Sequence, residues 1–190
     1  MKTESGTGGD FERLAMPLFD SLYNFARWLA HDETEAEDLV QEAFTKALRG
    51  FSSFTPGTDF RAWMFRILRN TFLTSRMGLR ARRTEGLEDD EEGEPVAVTR
   101  ETPESLALAS ATREALQTAL ELLPLRYREV ILLCDVEEMK YKEIAEVLAI
   151  PIGTVMSRIA RGRKLLREWL AAERTGASPA FGKPTNDELS

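Results

Sequence analysis

The sequence predicts an all-α protein: two small helical bundles joined by an acidic flexible linker, the second bundle containing a helix-turn-helix. Three observations predict it. Apolar residues recur at steps of three and four along most of the chain, the period of an amphipathic helix. No stretch alternates apolar and polar residues as a half-buried strand would. Residues 85–104, EGLEDDEEGEPVAVTRETPE, hold nine acidic residues, one arginine and two prolines in twenty positions, a like-charged segment with almost nothing to bury. The chain of 190 residues therefore divides into an upstream module over 10–84, the linker 85–104, a downstream module over 105–172 and a flexible tail over 173–190.

In the upstream module, DFERLAMPLFDSLYNFARWLA places Phe11, Leu14, Leu18, Leu22, Phe25 and Leu29 at helical spacing. Pro17 should bend or restart that helix, because its ring removes a backbone donor. HDETEAEDLVQEAFTKALRGF follows, with Thr34 and Glu37 in capping-box spacing, apolar Leu39, Val40, Phe44, Ala47 and Leu48, and an acidic opposite face of Glu35, Asp38 and Glu42. FSSFTPGT, Phe51 to Thr58, reads as a loop. DFRAWMFRILRNTFLTSRMGLRARR then resumes a helix that mixes large apolar residues with arginines.

Downstream, ESLALASATREALQTALELLP is a helix ending near Pro124, RYREVILLCDV a second, and YKEIAEVLA a third. The short turn IPIG separates the third from TVMSRIARGRKLLREWLA. Two helices joined by a few residues containing glycine have the shape of a helix-turn-helix, whose second helix lies in the DNA major groove. Ile144, Ala145 and Leu148 give the first helix an inward face, with small Ala145 at the crossing. Gly153 is expected to allow the sharp entry and Thr154 to cap the second helix. Val155, Ile159, Leu166 and Leu170 form its docking stripe, leaving Met156, Ser157, Arg158, Arg161 and Lys164 outside. Arginine can grip a guanine edge bidentately, serine and methionine can touch base edges, and the remaining cations can neutralise phosphates. The chain's net charge of -7 thus conceals a locally basic segment, with four cations between Arg158 and Lys164.

Composition excludes other classes. One cysteine, Cys134, and one histidine, His31, supply neither a disulfide nor a zinc site. No phosphate-binding glycine-lysine loop and no nucleophile-histidine pair is present, so no enzyme, cofactor or metal is expected. No run reaches the roughly 18 apolar residues of a membrane span, and MKTESGTGGDFE lacks a secretory pattern, so a cytoplasmic location is expected.

The motifs together resemble the extracytoplasmic-function sigma factors, the bacterial RNA polymerase subunits of the sigma-70 family. YKEIAEVLAIPIGTVMSRIARGRKLL is similar to their promoter-reading helix-turn-helix, and EAEDLVQEAFTKAL with FRAWMFRILRNTF is similar to their upstream module. The likeness covers about residues 10 to 172, and GTVMSR resembles the redox-stress branch.

The resemblance implies a mechanism. Asp38, Leu39, Gln41 and Glu42 would bind the clamp helices of the polymerase largest subunit, with the flap as a further contact, Leu39 and Phe44 being partly core. The loop with Ser53 and Phe54, together with Trp63, Arg66, Arg69, Asn70, Arg76 and Arg80, would melt and hold the minus-ten promoter element. Arg82 and Arg83 would add phosphate contacts. Thr154, Met156, Ser157, Arg158, Arg161, Arg163 and Lys164 would read the minus-thirty-five element. An anti-sigma factor is the implied regulator, and nucleoid association on polymerase the implied location. The residues alone leave alternatives: plain solvent exposure for the carboxylates, a core role for Trp63 and Phe65, and a linker that is a bare tether or a mimic of nucleic acid in a basic channel of a partner, which the resemblance makes the RNA-exit path of the polymerase. They also leave a stand-alone dimeric regulator of duplex DNA and a protein-interaction adaptor.

Overall fold

A computed structural model describes residues 4–83 and 107–174. The predicted linker 85–104 and nearly all of the predicted tail lie outside them, as do the side chains of Arg80, Arg82 and Arg83. The described residues are helical, with no strand among them.

The upstream module comprises α1 (Glu4–Ala15), α2 (Phe19–Ala30), α3 (Glu33–Gly50) and α4 (Phe60–Arg83). Pro17 restarts the chain as predicted: a 3-10 turn at Met16–Leu18 separates α1 from α2. His31 ends α2 in the left-handed conformation, φ 61°. The cap of α3 differs from the expected Thr34 and Glu37 pair. Asp32 is the N-cap, in extended conformation, and its carboxylate accepts the Glu35 N–H at 2.7 Å. An aspartate there also opposes the positive end of the helix dipole. Leu22, Phe25, Leu29, Leu39, Met64, Phe65, Leu68 and Phe72 fill the core, each buried apolar side chain contributing about 1.5–3 kcal/mol. Leu14 departs from its stripe and is exposed.

The downstream module comprises α5 (Ala107–Leu122), α6 (Leu125–Ile131) continued by a π turn at Leu132–Val136, α7 (Tyr141–Leu148) and α8 (Ile152–Arg174). Pro124 separates α5 from α6 as the sequence suggested. Val155, Ile159 and Leu166 are buried, so the stripe of α8 docks on its own module. Gly162 stands where α8 crosses α6. A methyl group there would stand 3.1 Å from Ile131 Cγ1 and 3.3 Å from Tyr127 Cβ, so α6 and α8 meet at van der Waals distance only because the side chain is hydrogen.

The modules also touch. Arg69 of α4 forms a two-point ion pair with Glu129 of α6, Nε to Oε1 at 2.7 Å and Nη2 to Oε2 at 3.3 Å. Arg61 of α4 pairs with Glu137 at 2.6 Å.

Candidate nucleic-acid interface

The helix-turn-helix is α7, residues 149–151 and α8. Glu143 fixes the start of α7 by accepting the Lys140 N–H at 3.0 Å. The sharp reversal falls on Ala149, left-handed at φ 53°, and not on Gly153, which is helical with open space around it. Likewise α8 starts two residues before Thr154: the Pro151 carbonyl accepts the N–H groups of Thr154 at 2.9 Å and Val155 at 3.1 Å. Proline serves because it fixes φ and its missing N–H lies outside the helix. Thr154 is half-buried and its carbonyl accepts the Ser157 hydroxyl at 3.0 Å.

On the outer face of α8, Met156, Ser157, Arg161 and Lys164 are exposed and Arg158 is half-buried. Arg161 stands beside the Tyr127 phenol. Partial burial pushes that phenol's pKa up, but the Arg126 and Arg161 guanidiniums outweigh it and hold the value below the ordinary one. Lys164 keeps only a loose 3.8 Å contact with Glu168. Arg163 is different. Its guanidinium hydrogen-bonds both oxygens of Asp135, which pushes its pKa up. A cation so neutralised contributes less to a phosphate than Arg161 or Lys164. Beside it, burial and Asp135 push the Cys134 thiol up, which disfavours the reactive thiolate.

The upstream face is assembled from residues 51–59 and α4. Phe54 stacks parallel on Phe51, interplanar angle 6°, meets Phe60 edge-on at 5.2 Å and lies 5.4 Å from Trp63. The Ser53 hydroxyl donates to the Gly50 carbonyl at 2.6 Å, and Asp59 caps α4 through the Ala62 N–H at 3.0 Å. These contacts fix a loop in which Phe54 and Trp63 are half-buried. Phe65, by contrast, is fully buried and packs on Phe25. Arg66 and Asn70 are exposed, one turn apart on the same side of α4. The Arg76 guanidinium lies over the Phe72 ring at 5.1 Å. Arg69 is only 16 % exposed and is held by Glu129.

On α3, Asp38, Gln41 and Glu42 are exposed, with Glu42 paired to Lys46 at 2.7 Å. Leu39 is 3 % exposed, so it supports this face from the core and offers no surface. The acidic face borders an apolar groove of about 520 Å³ lined by Met16, Phe19, Tyr23, Phe44 and Leu48 among others. Sequence periodicity did not reveal the groove, because its aromatic residues, Phe11, Phe19, Tyr23 and Phe44, come from three successive helices, α1, α2 and α3.

Comparison with known proteins fits this architecture. Residues 15–83 match the family Sigma-70 region 2, and residues 113–166 match Sigma-70, region 4. The chain is 34% identical to the ECF RNA polymerase sigma factor EcfG of Rhodopseudomonas palustris, over 80% of this chain and 86% of that one. It is 37% identical to the ECF RNA polymerase sigma factor SigE of Mycolicibacterium smegmatis, over 84% of this chain but 64% of the relative's length. The sigma factor RpoE in complex with the anti-sigma factor NepR from Bartonella quintana is similar in structure, TM-score 0.68 and 32% identity, over 87% of this chain and 99% of that one. CnrH in complex with the cytosolic domain of CnrY gives TM-score 0.64 and 30% identity over 89% and 92% of the two chains. The chain belongs to the ECF RNA polymerase sigma factors of the sigma-70 family.

Proposed function

We propose that this chain is a dissociable promoter-specificity subunit that binds RNA polymerase core and directs where transcription begins. Asp38, Gln41 and Glu42 on α3 dock on basic helices of the polymerase. Residues 51–59, Trp63, Arg66 and Asn70 hold the opened minus-ten strand, stacking and hydrogen-bonding its bases. Met156, Ser157, Arg158 and Arg161 on α8 read the minus-thirty-five element in the major groove, with Lys164 on phosphate. The chain supplies recognition, and the chemistry of RNA synthesis belongs to the polymerase. The observation that carries this reading is the pairing of two outward polar faces, α4 and α8, on modules that match the two sigma regions in order. Because both structural relatives named above are complexes with a partner, an anti-sigma factor is the proposed regulator of this chain too. No helix among the described residues is long and apolar enough to cross a membrane, and the proposed site of action is the nucleoid. The test is transcription by bacterial core polymerase on a pool of promoter fragments. Discrete start sites sharing two spaced elements support the reading. No stimulation, with tight duplex binding by the free protein, would replace it with a stand-alone regulator.

A further inference from the structure

The outward stripe of α8 is poorer in hydrogen-bonding groups than the helix's basic composition suggests. Gly153, Met156, Ser157 and Ala160 fall at i, i+3, i+4 and i+7, so they share one side of the helix, and all four are exposed. That side lies opposite Val155, Ile159 and Leu166, which are buried in the module. No member of the stripe is charged. By helical spacing Arg158 and Arg161 flank it on one side and Arg163, held by Asp135, on the other, while Lys164 continues it a turn further on.

Ser157 is the only member with a polar side chain, and its hydroxyl donates to the Thr154 carbonyl at 3.0 Å. The hydroxyl therefore keeps acceptor lone pairs for a base and has no proton to give. Met156 stands 54% exposed, and Ile152, one turn before it, 50% exposed. Gly153 has open space around it, so no side chain holds the backbone of this first turn away from a groove.

The major groove offers three kinds of base feature: acceptors on guanine, adenine and thymine, amino donors on cytosine and adenine, and the C5-methyl group of thymine. A stripe without a free donor cannot grip the two acceptors of guanine, and that task is left to the flanking arginines. Its apolar surface has one counterpart on the base edges, the thymine methyl. The unbranched, polarizable thioether of methionine adapts well to so small a group. We infer that Met156, with Ala160 and Ile152 beside it, reads thymine in the minus-thirty-five element by packing on its C5-methyl group. This rests on the proposed placement of α8 in the major groove. The contact needs only the methyl group, so it disappears when that group alone is removed.

Replacing thymine by uracil removes the methyl and leaves base pairing unchanged. The test uses holoenzyme reconstituted from the full chain and bacterial core polymerase, on a promoter located by mapping its start sites. Each thymine of the minus-thirty-five duplex, on either strand, is replaced in turn by uracil, and wild type is compared with Met156→Ala by filter binding. At one thymine or more, uracil should weaken wild-type binding about fourfold, the worth of one buried methyl group. Met156→Ala should bring the thymine-to-uracil ratio there to about one, since the cycle isolates the contact between side chain and methyl. A side chain that merely supported the helix would lower binding to both templates alike and leave the ratio unchanged. Met156 is exposed, so its truncation leaves the core filled. A wild type indifferent to uracil throughout the element, or a thymine preference that survives in Met156→Ala, overturns the inference. Transcription by the same preparations reads the proposed function separately. An absence of discrete starts would remove that function and this inference together, whereas starts without a uracil-sensitive thymine remove this inference alone.

Discussion

At the scale of the residue, neighbouring cations on α8 have different employment. Arg161 faces solvent, whereas Arg163 is held by Asp135. Arg161→Ala should weaken binding of polymerase holoenzyme to a promoter by about 1–3 kcal/mol, roughly 5- to 150-fold, the range of a bidentate base contact. Arg163→Ala should cost less than about 1 kcal/mol, the range of an exposed ion pair. Filter binding at fixed salt measures both. His31 gives a pH dependence. Loss of hydration, then the Arg128 charge from α6 and the Arg76 charge from α4, lower its pKa from 6.5 to about 4. The unfolded chain therefore takes up a proton more readily between those values. The stability lent by neutral His31 is complete above about pH 6.5 and falls away as pH drops toward 4. Wild type should lose more melting temperature than His31→Gln between pH 7.5 and pH 5, and equal losses would contradict this.

At the scale of the element, two glycines of α8 make opposite predictions. Gly153→Ala adds a methyl in open space at a helical position and should stabilise by up to about 1 kcal/mol. Gly162→Ala meets Ile131 and the rigid Cβ of Tyr127, so the same helix-propensity gain is outweighed by overpacking of about 1–3 kcal/mol. Thermal melts of the two variants should move in opposite directions. The contrast also shows what was legible in the sequence. The periodic stripes placed most of the helices and, through Val155, Ile159 and Leu166, most of the inner face of α8, because burial imposes the 3.6-residue period; the start of α1 at Glu4 and buried Trp169 escaped them. Cap identities were less legible: Asp32 replaced Thr34, Ala149 replaced Gly153 as the turning residue, and the start of α8 fell to Pro151. Each of these depends on backbone geometry that neighbouring residues of similar propensity can all provide. Gly162 was silent in sequence because its role is a distance to α6.

At the scale of the whole molecule, charge is divided between modules. The acidic face of α3 and the basic face of α8 lie on different modules, and net charge reports neither. Asp38→Arg/Glu42→Arg should abolish association with core polymerase on a native gel while leaving helicity unchanged, since both positions are exposed. The contacts between modules were the part that sequence could not disclose. Glu129 precedes the apolar run Val130 to Leu133 and Arg69 lies near Arg66 and Arg76, so local pattern assigns Arg69 to DNA; only the tertiary arrangement, 60 residues across in sequence, pairs it with Glu129. The central claim is that one chain reads two promoter elements with separate faces. The most direct test is transcription by reconstituted holoenzyme on templates substituted base by base, comparing wild type with Arg161→Ala and Asn70→Ala. Discrimination should be lost at the minus-thirty-five element alone for Arg161→Ala and at the minus-ten element alone for Asn70→Ala. Unchanged discrimination in both variants, or loss at the same element in both, would contradict it.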